Sequence, residues 1–341
     1  MTPVRSLAQR AAATLALASL LLLAACGASK PSDTPESALE GWKPGPARST
    51  LVAFVQAVTT PGPDYVAPAD RIAVFDNDGT LWSEQPVYFQ VQFALDEVRR
   101  MAPEHPAWTT QEPFKSVLAG DMAGVARSGE KGLMQIVGVT HSGMSTEVFT
   151  QRVQHWTASA RHPRTGQPYT QMTYAPMHAL LDYLRAHQFQ TYIVSGGDTD
   201  FMRAWTQQAY GIPPQQVIGS HFGLAYSVEN GVPTLTRQPR LDFNDDGPGK
   251  PVAIQRHIGK RPILAFGNSD GDLEMLQWTM GGSGKRLAAL VHHTDAAREW
   301  AYDRESKIGR LDKALDLARQ QGWLVVDMQE AWSRVYAFEQ Q

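Results

Sequence analysis

Residues 71–82, RIAVFDNDGTLW, constrain the fold more than any other stretch. Ile72, Ala73, Val74 and Phe75 form an apolar run long enough for a strand buried on both faces and too short for a typical helix. The run stops at Asp76, and Asn77, Asp78, Gly79 and Thr80 then put two carboxylates, a glycine and a hydroxyl into the turn that follows. Such a turn, at the carboxyl end of a buried parallel strand, is where open α/β sheets bind their ligands. Carboxylates two residues apart repel unless a cation lies between them or one keeps a proton. An Asx-type turn with solvated aspartates is the competing account, so the remainder of the chain must decide between them.

Two further apolar runs repeat the design. Residues 191–194 end in Ser195, Gly196, Gly197 and Asp198, and residues 263–266 end in Gly267, Asn268, Ser269, Asp270, Gly271 and Asp272. Helical spacing over residues 177–187, 199–210, 250–257, 273–278, 308–319 and 329–335 alternates with strand-like segments near 217–218, 287–291 and 323–326. This alternation predicts an α/β fold with a doubly wound parallel sheet, built from residues 51–86 and 174–341. Residues 222–237 alternate about Glu229, Asn230 and Gly231, which predicts a β-hairpin. Residues 87–173 carry helical spacing and little strand character, and so predict a mostly helical inserted cap, too long for an ordinary loop. A parallel sheet brings the carboxyl ends of its strands to one edge, and Lys250 enters just before the third run. Acids, a hydroxyl with adjacent glycine amides, and a cation are the parts phosphoryl transfer needs.

In this order and these strand contexts, the motifs resemble the haloacid dehalogenase (HAD) superfamily of hydrolases over most of residues 70–300, with the insertion placed as in the phosphoserine-phosphatase-like subgroup. The resemblance implies a Rossmann-like core and Mg2+-dependent hydrolysis of a small phosphorylated metabolite through an aspartyl-phosphate. It assigns Asp76 as nucleophile and Asp78 as general acid and base. Thr80, Ser195, Gly196 and Lys250 become phosphate ligands, with Thr80 also steadying its turn and Lys250 neutralising the charged aspartate. Asp76, Asp78 through its backbone carbonyl, Asn268 and Asp272 become the metal set. A departing alkoxide needs a proton donor, and Asp78 supplies one where dehalogenating or ion-pumping members of the family lack an acid. Here the fourth motif reads Gly267-Asn268, although the family usually begins it with Gly-Asp; Asn268 keeps a hard carbonyl oxygen but brings no charge, and Asp270 is a possible compensation. A non-catalytic phospholigand-binding lipoprotein of the same fold and a phosphotransferase share these residues and stand as alternatives.

No short motif names the substrate. Arg152, Arg161 and Arg164 are candidate clamps for a carboxylate or phosphate, with a solvated helix face as the plainer account. His292 and His293 are adjacent on a strand and face opposite sides, which argues against a metal pair.

Residues 1–25 form a basic start and an apolar run of export-signal length, ending at Leu23, Ala24, Ala25 and Cys26. LAAC resembles the lipobox of bacterial lipoproteins, and lipidation accounts for Cys26 as the only cysteine of an exported chain. The expectation is a domain held by lipid to a bacterial membrane, the outer one, facing the periplasm, with residues 26–50, rich in Ser, Pro, Gly and Ala, as a flexible tether. Without residues 1–25 the chain has 29 basic against 34 acidic side chains, which argues against a nucleic-acid partner. Membrane contact is then expected only through the anchor.

Overall fold

The computed structural model describes residues 39–339; the expected signal segment, Cys26 and the first part of the tether lie outside the described residues. Folded chain begins earlier than the composition of the tether suggests. Leu39 and Trp42 are buried, and the Trp42 indole donates to the Pro176 carbonyl at 2.7 Å. Burying two large apolar side chains outweighs the surrounding Gly and Pro, which corrects the tether boundary over residues 39–50. Helix α1, Pro46–Thr59, starts on a proline whose missing N–H costs nothing at that position, and it buries Leu51, Phe54, Val55 and Val58 at helical spacing.

Among the described residues the sheet has eight strands: β1 Ile72–Phe75, β2 Gln190–Asp198, β3 Val217–Glu229, β4 Val232–Phe243, β5 Leu264–Gly267, β6 Leu287–Thr294, β7 Ala301–Tyr302 and β8 Leu324–Asp327. Their order is β4-β3-β2-β1-β5-β6-β7, with β8 also on β6. Every pairing is parallel except β3 with β4 and β6 with β7. Register aligns the three expected strands: Phe75 lies opposite Ile193 on one side and Phe266 on the other. Their polar turns therefore leave the sheet at one level.

Alternation along β1 divides the core. Ile72 and Val74 join Ala253, Ile254, Met275, Leu276, Ala314 and Leu315 in one buried cluster, while Ala73 and Phe75 point the other way. The insertion between β1 and β2 is helical, comprising α2 Phe89–Met101, α3 Phe114–Ala119, α4 Met122–Arg127, α5 Gly129–His141 and α6 Thr146–Ser159. The chain rejoins the sheet through α7, Ala175–Ala186. The helix expected over residues 199–210 divides into α8 Thr199–Arg203 and α9 Thr206–Tyr210. The break falls at Trp205, whose ring stacks on Trp82 at 4.1 Å between centroids. Among the described residues four helices follow the hairpin: α10 Gly249–His257, α11 Leu273–Met280, α12 Lys313–Gln321 and the short α13 Met328–Ala331.

The hairpin turns on Asn230 and Gly231, both with positive φ (52° and 81°), the two-residue geometry that matches strand twist. It is longer than its sequence pattern indicated, because β3 begins inside the parallel sheet beside β2 and continues outward as the hairpin arm. No helix among the described residues is long and apolar enough to cross a membrane.

Candidate active site

Asp76 follows the last residue of β1, and its amide donates to the Phe266 carbonyl of β5 at 2.9 Å, which fixes the start of the turn against the neighbouring strand. The Asn77 carbonyl then accepts from the amides of Thr80, Leu81 and Trp82. Gly79 has φ 75°, and a Cβ there would overlap both the Asn268 amide and the Glu84 carboxylate, so glycine is required twice over. His293, at the end of β6, holds the Gly79 carbonyl through Nε2 at 2.8 Å, while its Nδ1 meets Glu299 at 3.1 Å. A carbonyl only accepts, so Nε2 carries the hydrogen. His293 is thus a brace for the aspartate turn, a role that sequence reasoning missed.

Lys250, buried in the first turn of α10, makes three bonds through Nζ: to Asp76 Oδ1 at 2.6 Å, to Asp272 Oδ1 at 2.7 Å and to the Val194 carbonyl at 2.9 Å. One ammonium therefore ties the ends of all three expected strands together. Burial alone would lower its pKa, but the carboxylates of Asp272 and Asp76 outweigh burial and hold it above the ordinary lysine value. Two carboxylates share this single cation, so the trio is one negative charge in excess. Burial first, then the Asp272 charge, hold the Asp76 carboxyl well above its usual range against the pull of Lys250.

Asp78 lies in the same cavity with a different setting. The Trp82 indole donates to Oδ1 at 2.9 Å, yet burial pushes the carboxyl up to about 6. Ser195, in the C-terminal half of β2, is buried, and its Oγ accepts from the Gly197 amide at 3.2 Å. Together Asp76, Asp78, Ser195, Gly196, Lys250 and Asp272 line the floor of a cavity of about 310 Å3, and Tyr88, Val91, Leu133 and Val137 of the insertion line its roof. Gln90, at the start of α2, joins roof to floor: its Oε1 accepts from the Asp198 amide at 2.8 Å.

Three assignments need correction. Thr80, expected among phosphate ligands, is fully buried and donates to Asn268 Oδ1 at 3.2 Å, because the turn folds its hydroxyl back toward β5. Asp272, expected in the metal set, gives Oδ1 to Lys250 and Oδ2 to the amides of Asn268 and Ser269, so it positions the lysine and closes its own loop. Asp270 cannot compensate for Asn268, since its carboxylate accepts from the Asp312 and Ala314 amides at the start of α12.

The candidate arginine clamps are engaged elsewhere. Arg152 pairs with Glu97, Arg161 donates to carbonyls at the end of α6, and Arg164 donates to carbonyls at 296, 297 and 299 while lying over the Trp300 ring. Among the described residues Lys250 is the one cation lining the cavity. Sequence reasoning also passed over Glu84, which lines the cavity and is buried. Its Oε1 accepts from Asn268 Nδ2 at 2.8 Å and from the Tyr302 hydroxyl at 2.7 Å, and burial holds its carboxyl well above the usual range. Its only signal in the sequence was an acid shortly after DNDGT.

Among the described residues no three His, Cys, Asp or Glu side chains are grouped as a ready metal cage. A mixed donor set still fits a small hard cation. The Asp76 carboxylate is present, the Asp78 carbonyl accepts no hydrogen bond among the described residues, and the surplus negative charge beside Lys250 calls for a second positive group.

A family model described as haloacid dehalogenase-like hydrolase matches residues 73–277. No curated protein matches the chain. Among solved structures, a protein of unknown function from Anaerococcus prevotii has a TM-score of 0.51 at 15% identity, covering 80% of this chain and 88% of its own, and shares the fold. A protein of unknown function from Bordetella pertussis has a TM-score of 0.47 at 16% identity, covering 76% and 98%. A phosphoserine phosphohydrolase-like protein from Francisella tularensis has a TM-score of 0.36 at 13% identity, covering 65% and 87%.

Proposed function

The chain belongs to the haloacid dehalogenase-like hydrolases, and from that membership we propose that it is a phosphomonoesterase working through an aspartyl-phosphate on Asp76. The observation that carries this reading is the joint placement of Asp76, Lys250 and Asp272 in contact, with Asp78 and Ser195 in the same cavity. Asp76 attacks phosphorus with a carboxylate oxygen, a P–O bond forms, and the bond to the departing alkoxide breaks as Asp78 delivers a proton to that oxygen. In the second half-reaction Asp78 takes a proton from water, whose oxygen bonds to phosphorus as the bond to Asp76 breaks and phosphate leaves. Lys250 holds Asp76 in place and offsets charge on the phosphoryl oxygens, and the Ser195 hydroxyl with the Gly196 backbone receives those oxygens.

Mg2+, held by the Asp76 carboxylate and the Asp78 carbonyl on the side of Asn268, would supply Lewis-acid neutralisation of the phosphoryl group. The roof favours a small substrate. Apolar Val91, Leu133 and Val137 with the Tyr88 ring face the leaving group, and among the described residues no second cation lines the cavity for a carboxylate on it. An aryl phosphate is the generic probe: Asp76→Asn removes the nucleophile and is expected to lower turnover by about 10⁴-fold or more, as loss of a catalytic nucleophile does. Retained turnover in that variant would rule the mechanism out.

We propose also that the chain is exported and lipidated at Cys26, facing the periplasm from the outer membrane. The support is the sequence Leu23-Ala24-Ala25-Cys26 after an apolar run. Cys26→Ser is expected to move the protein from the membrane pellet to the soluble fraction, and an unchanged pellet would count against the anchor.

A further inference from the structure

We propose that Glu84 and Asn268 act as one unit, in which Glu84 holds the Asn268 amide in the orientation that offers Oδ1 to the metal centre. The inference rests on the metal-dependent reading above.

Asn268 is buried and neutral, and its two side-chain ends are assigned by their partners. Oδ1 accepts from Thr80 at 3.2 Å, and Nδ2 donates to Glu84 Oε1 at 2.8 Å. A carboxylate only accepts, so Glu84 fixes which end of the amide is oxygen. It also draws the N–H toward itself and leaves more negative charge on Oδ1, as outer carboxylates do for metal-ligating side chains. The environment is built around this pair. Gly79 and Gly309, both at positive φ, leave the space that Glu84 Oε1 occupies, and a Cβ at either position would overlap it. Tyr302 donates a second hydrogen bond to the same oxygen at 2.7 Å.

Glu84 forms no ion pair among the described residues, so its hydrogen bonds from Asn268 and Tyr302 are what fix it beside the amide.

The pair has a consequence opposite to that of an independent ligand. Asn268→Asp, made alone, sets two carboxylate oxygens where the present 2.8 Å hydrogen bond lies, so the new side chain loses the partner that holds residue 268 in place. Adding Glu84→Gln restores a donor to the new carboxylate.

The experiment is calorimetric titration of Mg2+ alone into the full chain and its three variants, with thermal melts to verify folding. Glu84→Gln is expected to bind Mg2+ about 10–100-fold more weakly than the unaltered protein. Asn268→Asp is expected to bind no tighter than the unaltered protein, and the double variant at least as tightly. Glu84→Gln within threefold of the unaltered protein would overturn the pairing, as would purely additive effects in the double variant. Should Glu84→Gln fail to fold, Asn268→Asp alone decides, because tighter binding there refutes the pair. An unaltered protein that binds no Mg2+ would overturn the pair and the metal-dependent reading together, whereas normal binding with an indifferent Glu84→Gln would overturn the pair alone.

Discussion

Asp76 and Asp78 are two residues apart in the turn, yet their surroundings divide the labour between them. Asp76 is pinned by an ammonium and needs its charge to attack; Asp78 takes an indole N–H from Trp82, and burial keeps its proton on to about pH 6. That difference sets a pH dependence. The acid is active while protonated, so kcat/KM for an alkyl phosphate, whose alkoxide needs the proton, is expected to fall by up to tenfold per unit as pH rises beyond about 6. An aryl phosphate with a good phenolate leaving group depends less on that proton, and its profile is expected to hold to higher pH. Identical alkaline limbs for the two substrates would remove Asp78 from the acid role.

Braces that join separate elements explain which parts of this fold could be read from sequence. The three strand-end turns were legible because each couples an apolar run to a polar stop within a few residues, and the register then aligned them as a parallel sheet requires. The hairpin was legible for the same local reason, in Asn230-Gly231. Glu84 and His293 were not, because their meaning lies in contacts 184 and 214 residues away along the chain, with Asn268 and Gly79. A histidine on a strand offers no period or spacing that names a carbonyl partner in another turn. The N-terminal boundary was misjudged through composition, since Leu39 and Trp42 outweigh the small residues around them. His293→Ala leaves the buried Gly79 carbonyl without its donor, which is expected to cost about 1–3 kcal/mol of stability. Because the same turn carries Asp76 and Asp78, kcat should fall with it. Chemical denaturation together with aryl phosphate turnover measures both, and an unaffected kcat at reduced stability would confine His293 to a structural role.

At the level of the whole folded unit, the insertion is fastened to the sheet rather than merely laid over it. Arg237 on β4 is buried and reaches three parts of the molecule at once. Its guanidinium donates to Asp198 at the end of β2, to Asp200 in α8, and to the His141 carbonyl that ends α5 of the insertion. The Phe149 ring of α6 stacks beneath it at 4.1 Å, and its backbone bonds to Gly143 and Met144 tie the hairpin to the loop between α5 and α6. Ser195, Gly196 and Gly197 therefore sit on a strand whose end is locked to the roof of the cavity. Arg237→Met keeps the bulk and removes the charge, leaving Asp198 buried without a counter-ion, and is expected to cost about 3–5 kcal/mol. The sign of its pH dependence follows from Asp198, whose carboxyl burial already raises despite Arg237. A group with a raised pKa in the folded state contributes its stability below its unfolded value and loses it as pH rises through the folded value. Loss of Arg237 raises that pKa further, so the gap in unfolding free energy between variant and parent should be wide at pH 7.5 and narrow toward pH 4.5. Urea unfolding at the two pH values reads the difference directly, and an equal gap at both would mean that Asp198 is not the group left stranded.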